Sequence, residues 1–218
     1  MKNIRLLIIF IFLSIAATHQ GYAQLGFKLT EIVPNGDIGQ FFNKGIAPDI
    51  YYIDYFRAGK FRTRVGFLYS KLSSRKDTVP QYMVQVGGFN PNPVYIPGYL
   101  VNRDFSMMYL HGDVSYRFLH INKFSVFGGL GIVMGKSHVV YYRGFETVIE
   151  EEGNVDTIIE GLCFVADVEY QLSKHFDILA EGALNKISSS DLTTSYGHSA
   201  FSLGVNWVFF DRPKKEWF

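Results

Sequence analysis

The stretch SMMYLHGDVSYRF, residues 106–118, decides how this chain is read. Met108, Leu110, Gly112, Val114, Tyr116 and Phe118 share one parity, while His111, Asp113, Ser115 and Arg117 share the other. A period of two is the strand period, because successive side chains leave a strand on opposite faces. One face is large and apolar and the other is polar and charged. The strand therefore divides two unlike surroundings.

The same alternation recurs along the chain. Segment 162–172 sets Leu162, Phe164, Ala166, Val168, Tyr170 and Leu172 against Asp167, Glu169 and Gln171. Segment 176–185 sets Phe176, Ile178, Ala180, Gly182 and Leu184 against Asp177, Leu179, Glu181 and Asn185. Segment 199–209 alternates Phe201, Leu203, Val205, Trp207 and Phe209 with Ser202, Gly204 and Asn206. In 61–71, Phe61, Val65, Phe67 and Tyr69 oppose Arg62, Arg64 and Ser70. Three less regular strands are predicted at 25–33, at 48–57 and at 124–138. In the second, Tyr51, Ile53 and Tyr55 are placed opposite Asp54; the third is rich in glycine. No segment after Gln24 carries a helical period. Eight strands is an even number, the rule for single-chain bacterial membrane barrels.

The connections alternate in length. Short ones are predicted at 58–60, 119–123 and 173–175, long ones at 34–47, 72–104 and 139–161, and a shorter one at 188–197 between the last two strands. Within 139–161, Gly153-Asn154 reads as the tip of a hairpin. Tight turns on one rim and long loops on the other mark outer-membrane barrels. Hydrocarbon offers backbone N–H and C=O groups no partner, so only a helix or a closed sheet satisfies them all. The expected fold is thus all-β, an eight-stranded antiparallel up-and-down transmembrane barrel with short periplasmic turns and long extracellular loops.

The competing architecture is a soluble lipocalin-like barrel, apolar inside and polar outside. The predicted polar face carries Lys28, Asp54, Arg62, Arg64, His111, Asp113, Arg117, Asp167, Glu169, Asp177 and Glu181. Both signs occur, so these groups can pair inside a narrow lumen. Tyr51, Tyr69, Tyr116, Tyr170 and Trp207 are candidates for interfacial girdles.

The N-terminus reads as an address. Lys2 and Arg5 precede an apolar run from Leu6 to Ala17, and Gly21-Tyr22-Ala23 offers small residues at a cleavage site. That is the pattern of a secretory signal peptide over 1–23, too short for a membrane anchor. The barrel is then assigned to 24–210, and 211–218 to a short C-terminal tail. Net charge is +1 over 218 residues, which implies no field for nucleic acid. The single cysteine, Cys163, can form no internal disulfide and reads as a packed thiol.

The segments MMYLHGDVSYRF (107–118), KFSVFGGLGIVMG (123–135) and FSLGVNWVFF (201–210), with a leader ending Ala23-Gln24, resemble the small outer-membrane β-barrel family of Bacteroidota, which includes the PorT-like barrels. The resemblance covers most of the mature chain and implies a fold and a location rather than an activity. Family barrels usually end on an aromatic at the last strand. This chain continues from Asp211 to Phe218, where Trp217-Phe218 offers a terminal aromatic instead.

Candidate chemistry is sparse. His111 and Asp113 lie two apart on the polar face and read as a satisfied polar core rather than an acid–base pair. His198-Ser199 offers a base and a hydroxyl near the outer rim, without a nucleophile-elbow motif. Glu146, Glu150, Glu151, Glu152, Asp156 and Glu160 form an acidic stretch without the calcium-loop pattern. Asn90-Pro91-Asn92-Pro93 reads as a rigid loop segment. No catalytic, cofactor-binding or metal-binding residue is assigned, and no cofactor is expected.

The functional expectation is a non-enzymatic outer-membrane protein, exported from a Gram-negative cell interior through a cleaved signal, with a structural or interaction role in envelope assembly or secretion. Its expected partners are outer-membrane lipid, lipopolysaccharide and envelope or secretion proteins reached through the extracellular loops. The alternatives are a lipid-modifying enzyme using His198 and Ser199, and a small-solute channel.

Overall fold

The computed structural model describes residues 23–57, 59–75, 79–85, 94–145, 148–189 and 196–209. Its strands are β1 (Ala23–Asn35), β2 (Gly45–Phe56), β3 (Phe61–Ser73), β4 (Val79–Gln85), β5 (Val94–Ile121), β6 (Phe124–Phe145), β7 (Val148–Gln171), β8 (Phe176–Ser189) and β9 (Tyr196–Val208). One short helix, α1 (Gly36–Phe41), joins β1 to β2, where the sequence predicts only a loop.

Every pairing is antiparallel, and each strand pairs with its neighbour in sequence except at two places. β1 pairs with β9, from Gln24↔Val208 to Asn35↔Gly197. β3 pairs with β5, from Phe61↔Tyr116 to Ser73↔Asp104. Those two pairings close β1, β2, β3, β5, β6, β7, β8 and β9 into an eight-stranded ring. β4 stands outside it, paired among the described residues only with the outer part of β5. The predicted number of barrel strands is therefore correct, and the ninth strand is a finding.

The turns at one rim are tight because the residues there accept the backbone they require. Asn122 sits at φ 53°, a left-handed conformation that Asn tolerates better than most residues. The β5–β6 connection is accordingly only Asn122-Lys123, shorter than the predicted 119–123. At the β7–β8 turn, the backbone N–H groups of His175 and Phe176 donate to Ser173 Oγ at 3.2 and 3.1 Å, a hydroxyl turn contact.

On the other rim the sequence reading is corrected. Most of 72–104 and 139–161 is not loop but strand. β5, β6 and β7 run for 28, 22 and 24 residues, at least twice the roughly 9–11 residues that cross a bilayer. The hairpin between β6 and β7 turns between Phe145 and Val148, not at Gly153-Asn154, which lie in the ladder opposite Tyr141 and Val140. Asn and Gly together suggest a turn, but an ongoing strand pairing outweighs local turn preference. Residues 1–22 of the predicted signal peptide, Asn90–Pro93, Glu146 and the predicted tail 211–218 lie outside the described residues.

Burial settles which face is which. Leu25, Phe27, Leu29, Phe67, Leu110, Leu130, Phe164, Leu184, Phe201 and Leu203 are all exposed, while Arg62, Arg64, Asp113 and Asp167 are no more than 2% exposed. A water-soluble barrel has the opposite arrangement. A continuous apolar exterior around a charged interior is a surface made for hydrocarbon.

Strand β2 is a correction. Tyr51, Ile53 and Tyr55, placed on the apolar side by the sequence, point into the lumen, and Ile50 and Tyr52 face outward. Asp54 is buried, though on the outward parity. The lone charge is a poor marker of face here, because a narrow lumen also needs bulky rings to fill it. Tyr51 consequently leaves the proposed girdle. The girdle gathers instead beside the short turns. Phe56 and Phe61 stack at 5.6 Å, Phe61 meets Tyr116 at 5.1 Å, Phe124 meets Tyr170 at 4.6 Å, and Trp207 meets Phe209 at 4.7 Å. Amphipathic rings prefer the level of the lipid headgroups.

The inward turn of Tyr51 needs a glycine opposite. A Cβ at Gly26 would overlap the Tyr51 ring and lie 2.6 Å from Asn206 Oδ1. Gly26→Ala is expected to lose about 1–3 kcal/mol by overpacking. The readout is the urea midpoint of the barrel in lipid vesicles. Adding Tyr51→Val should restore part of the loss, and no recovery would mean that the ring is not what the methyl meets.

Candidate functional site: a charged and closed lumen

The lumen is layered. Nearest the short turns lie Ile53, Tyr55, Phe127, Leu179 and Val208, an apolar floor. Above it runs a belt of charged groups. Nearest the long strands lies an apolar cap that includes Ile32, Phe42, Leu72, Phe105, Met107, Ile159 and Ile187. Phe42, from the segment after α1, packs on Phe105 at 5.1 Å and helps to close that end.

Strand register builds the belt. Lys28 lies opposite Asp49, and Arg64 lies opposite Asp113. The Nζ of Lys28 stands 3.2 Å from Asp49 Oδ2, and Arg64 Nε donates to Asp113 Oδ2 at 2.7 Å. These are pairs between adjacent strands. Other pairs cross the lumen. Lys28 Nζ donates to Glu181 Oε1 at 2.6 Å, and Arg64 bonds the other oxygen of Glu181. Arg62 bonds Asp167, and its other terminal nitrogen reaches Glu169 Oε1 at 2.5 Å. Its guanidinium lies 4.1 Å from the centre of the Phe127 ring, a cation–π contact on the floor.

Neutral groups complete the network. Tyr55 donates to Glu169 at 2.7 Å, and Gln24 Nε2 donates to Asp177 Oδ2 at 2.9 Å. Tyr51 donates to Asn206 Oδ1 at 2.6 Å. Ser115 donates to Asp113 Oδ1 at 2.8 Å. Buried charges are tolerated only when paired and hydrogen-bonded. Each of these charges has a partner, and Arg62 Nε and Asp167 Oδ1 are left without a hydrogen bond among the described residues. A cavity of about 30 Å³ remains between the belt and the cap, beside Lys28, Asp49, Arg64, His111 and Asn185. That is room for one or two waters.

Of the eleven residues predicted on the lumen face, nine lie on it and are buried: Lys28, Arg62, Arg64, His111, Asp113, Asp167, Glu169, Asp177 and Glu181. Asp54 and Arg117 are the other two, Asp54 for the reason given above and Arg117 because it is only half-buried near the turn. His111 and Asp113 do not act on one another. His111 Nε2 meets Asp49 Oδ1 at 3.0 Å, and Asp113 serves Arg64 and Ser115. Asp49, Tyr51, Tyr55 and Gln24 escape the sequence reading. Their signal is parity with Lys28 through the β1–β2 register, which the sequence alone does not fix.

His198 and Ser199 are neighbours on β9, so their side chains leave opposite faces. His198 is buried in the lumen, where Tyr109 Oη lies 3.2 Å and Asn185 Nδ2 3.1 Å from its Nε2. Ser199 Oγ instead accepts from Asn35 Nδ2 at 3.0 Å. The structure does not bring the two together. Cys163 is a buried lone thiol, as expected. The acidic stretch forms no group of three potential metal ligands among the described residues.

No family model matches the chain, and no characterised protein matches it by sequence. Solved structures do match by shape. Neisserial surface protein A superposes with a TM-score of 0.53 at 16% identity, covering 87% of this chain and 97% of its own. A major outer-membrane protein of Thermus thermophilus gives a TM-score of 0.52 at 11% identity, covering 88% of this chain and 100% of its own. At such identities the likeness concerns shape alone, and it agrees with the apolar exterior and charged interior described above: the chain has the fold of the small outer-membrane β-barrels.

Proposed function

We propose that this chain resides in the outer membrane and works at its extracellular end, as a non-enzymatic structural or interaction partner in envelope assembly or secretion. The observation that carries the reading is the contrast between its two parts. The lumen is filled by paired charges between an apolar floor and an apolar cap. The long strands β5, β6 and β7 continue well past the ring. Surface made beyond the bilayer has no role in spanning it, so it is the part available to partners. The strand segments that resemble the PorT-like barrels of Bacteroidota support a place in that group's envelope.

Two experiments test this. In planar bilayers the refolded protein is expected to give no stable open-channel current, because the remaining cavity holds only a water or two. A large steady conductance would replace the partner role with the channel reading. In purified outer membranes the protein should shift its gel mobility on boiling, as folded barrels resist SDS. Cross-linking on intact cells should then join its extracellular strands to an envelope protein.

A further inference from the structure

Above the ring, β4, the outer parts of β5 and β6, and the first half of β7 extend the same sheet as a four-stranded antiparallel arm. β8 pairs with β7 only from Ile159↔Ser189 onward. Among the described residues, nothing pairs with the other side of Val148–Ile158. That leaves an edge of eleven residues, spanning roughly 35 Å at the strand rise.

Exposed edges invite pairing, and folded proteins usually blunt them with proline, lysine or short length. β4, the other edge, contains Pro80. Val148–Ile158 contains neither proline nor lysine. It is instead acidic, with Glu150, Glu151, Glu152 and Asp156, and the described residues of the arm, 136–145 and 148–158, set these four acidic residues against Lys136 and Arg143. Val155, Asp156 and Ile158 are exposed. Gly153 keeps its place in the ladder because the Tyr141 ring lies over it, where a Cβ would collide with the ring.

We propose that the free edge of β7 at Val148–Ile158 is a docking strand for a cationic, extended segment of a partner protein. The segment would add to the sheet through main-chain hydrogen bonds. Like charges disfavour pairing of this edge with a second copy of itself, so the acidic residues select a basic partner as well as preventing self-association. The proposal rests on the reading that the extracellular end does the work, and it names the chemistry of what binds there.

The test uses the full chain refolded in lipid nanodiscs. The probe is a fluorescent ten-residue peptide of alternating Lys and Thr. Its controls are an alternating Glu and Thr peptide, and the Lys and Thr peptide N-methylated at alternate residues to remove its backbone donors. The first peptide should bind at least tenfold tighter than either control and should slow hydrogen exchange across 148–158. The triple change Glu150→Gln, Glu151→Gln, Glu152→Gln should weaken it tenfold or more. Equal binding of the N-methylated peptide, or binding without protection of 148–158, would overturn edge pairing in favour of a plain charge patch. No binding overturns the proposal. If cross-linking to envelope proteins then survives in the triple variant, the extracellular role stands without this edge. If cross-linking is absent in the unaltered protein too, both readings fail.

Discussion

Arg64→Ala is expected to lower the stability of the barrel by about 3–5 kcal/mol, the cost of leaving a buried charge without its partner. Arg64 is 1% exposed and holds two carboxylates from different strands, Asp113 on β5 and Glu181 on β8. Its loss leaves Asp113 with Ser115, and Glu181 with Lys28 alone. The measurement is a urea titration in lipid vesicles, read by the heat-dependent gel shift. The triple variant Arg64→Leu, Asp113→Asn, Glu181→Gln separates this cause from simple loss of volume. Removing these three charges together should recover much of the loss, because neither carboxylate is then left as a charge without its arginine, and Lys28 keeps Asp49. If Arg64→Ala and the triple variant were equally unstable, the charges would not be what Arg64 holds.

Leu203→Arg should cost about 2–4 kcal/mol in a bilayer, the penalty for an arginine near the midplane on the lipid face of a barrel. Leu203 is 69% exposed, lies near the middle of β9 and pairs with Leu29 of β1. On a water-soluble barrel the same change would be close to neutral. The sign therefore tests the central structural claim, that the outside of this molecule is made for hydrocarbon. Equilibrium unfolding of the two proteins in the same vesicles gives the answer. A difference within about 0.5 kcal/mol would return the exterior to water.

The strands of the ring are legible because each satisfies two demands at once, an apolar side for lipid and a polar side for the lumen. In β5 and β8 the two demands coincide with charge, and parity alone assigns the faces. In β2 they do not. Its inward positions are Asp49, Tyr51, Ile53 and Tyr55, and its outward ones include Ile50 and Tyr52. Both faces are apolar enough that only register against Lys28 and Gly26 decides between them. Outside the bilayer the signal changes again. Strands there lie in water, so β4 and the outer parts of β5, β6 and β7 need not alternate in hydropathy, and prolines at 80 and 97 read as loop. The belt is half legible. Its charges stand out in the sequence, but Tyr55, Gln24 and Tyr51, which hold Glu169, Asp177 and Asn206, carry no charge to announce them.

The joint between β1 and β9 has a kinetic side. It brings together the two ends of the barrel, with Phe209 N–H donating to Ala23 O at 3.3 Å. Several lumen contacts span that joint or lie across it. Lys28 meets Glu181 over 153 positions of sequence, Gln24 meets Asp177 over the same separation, and Thr30 meets Ser202 over 172. Hairpins between successive strands form from near neighbours, whereas contacts so distant in sequence carry the largest loop-closure cost and form late. Until the last zipping step, Lys28 and Glu181 keep their water. Dehydration of the interior and closure of the ring are then one event, and a chain halted before it would present a wet, charged cleft to the bilayer that awaits it.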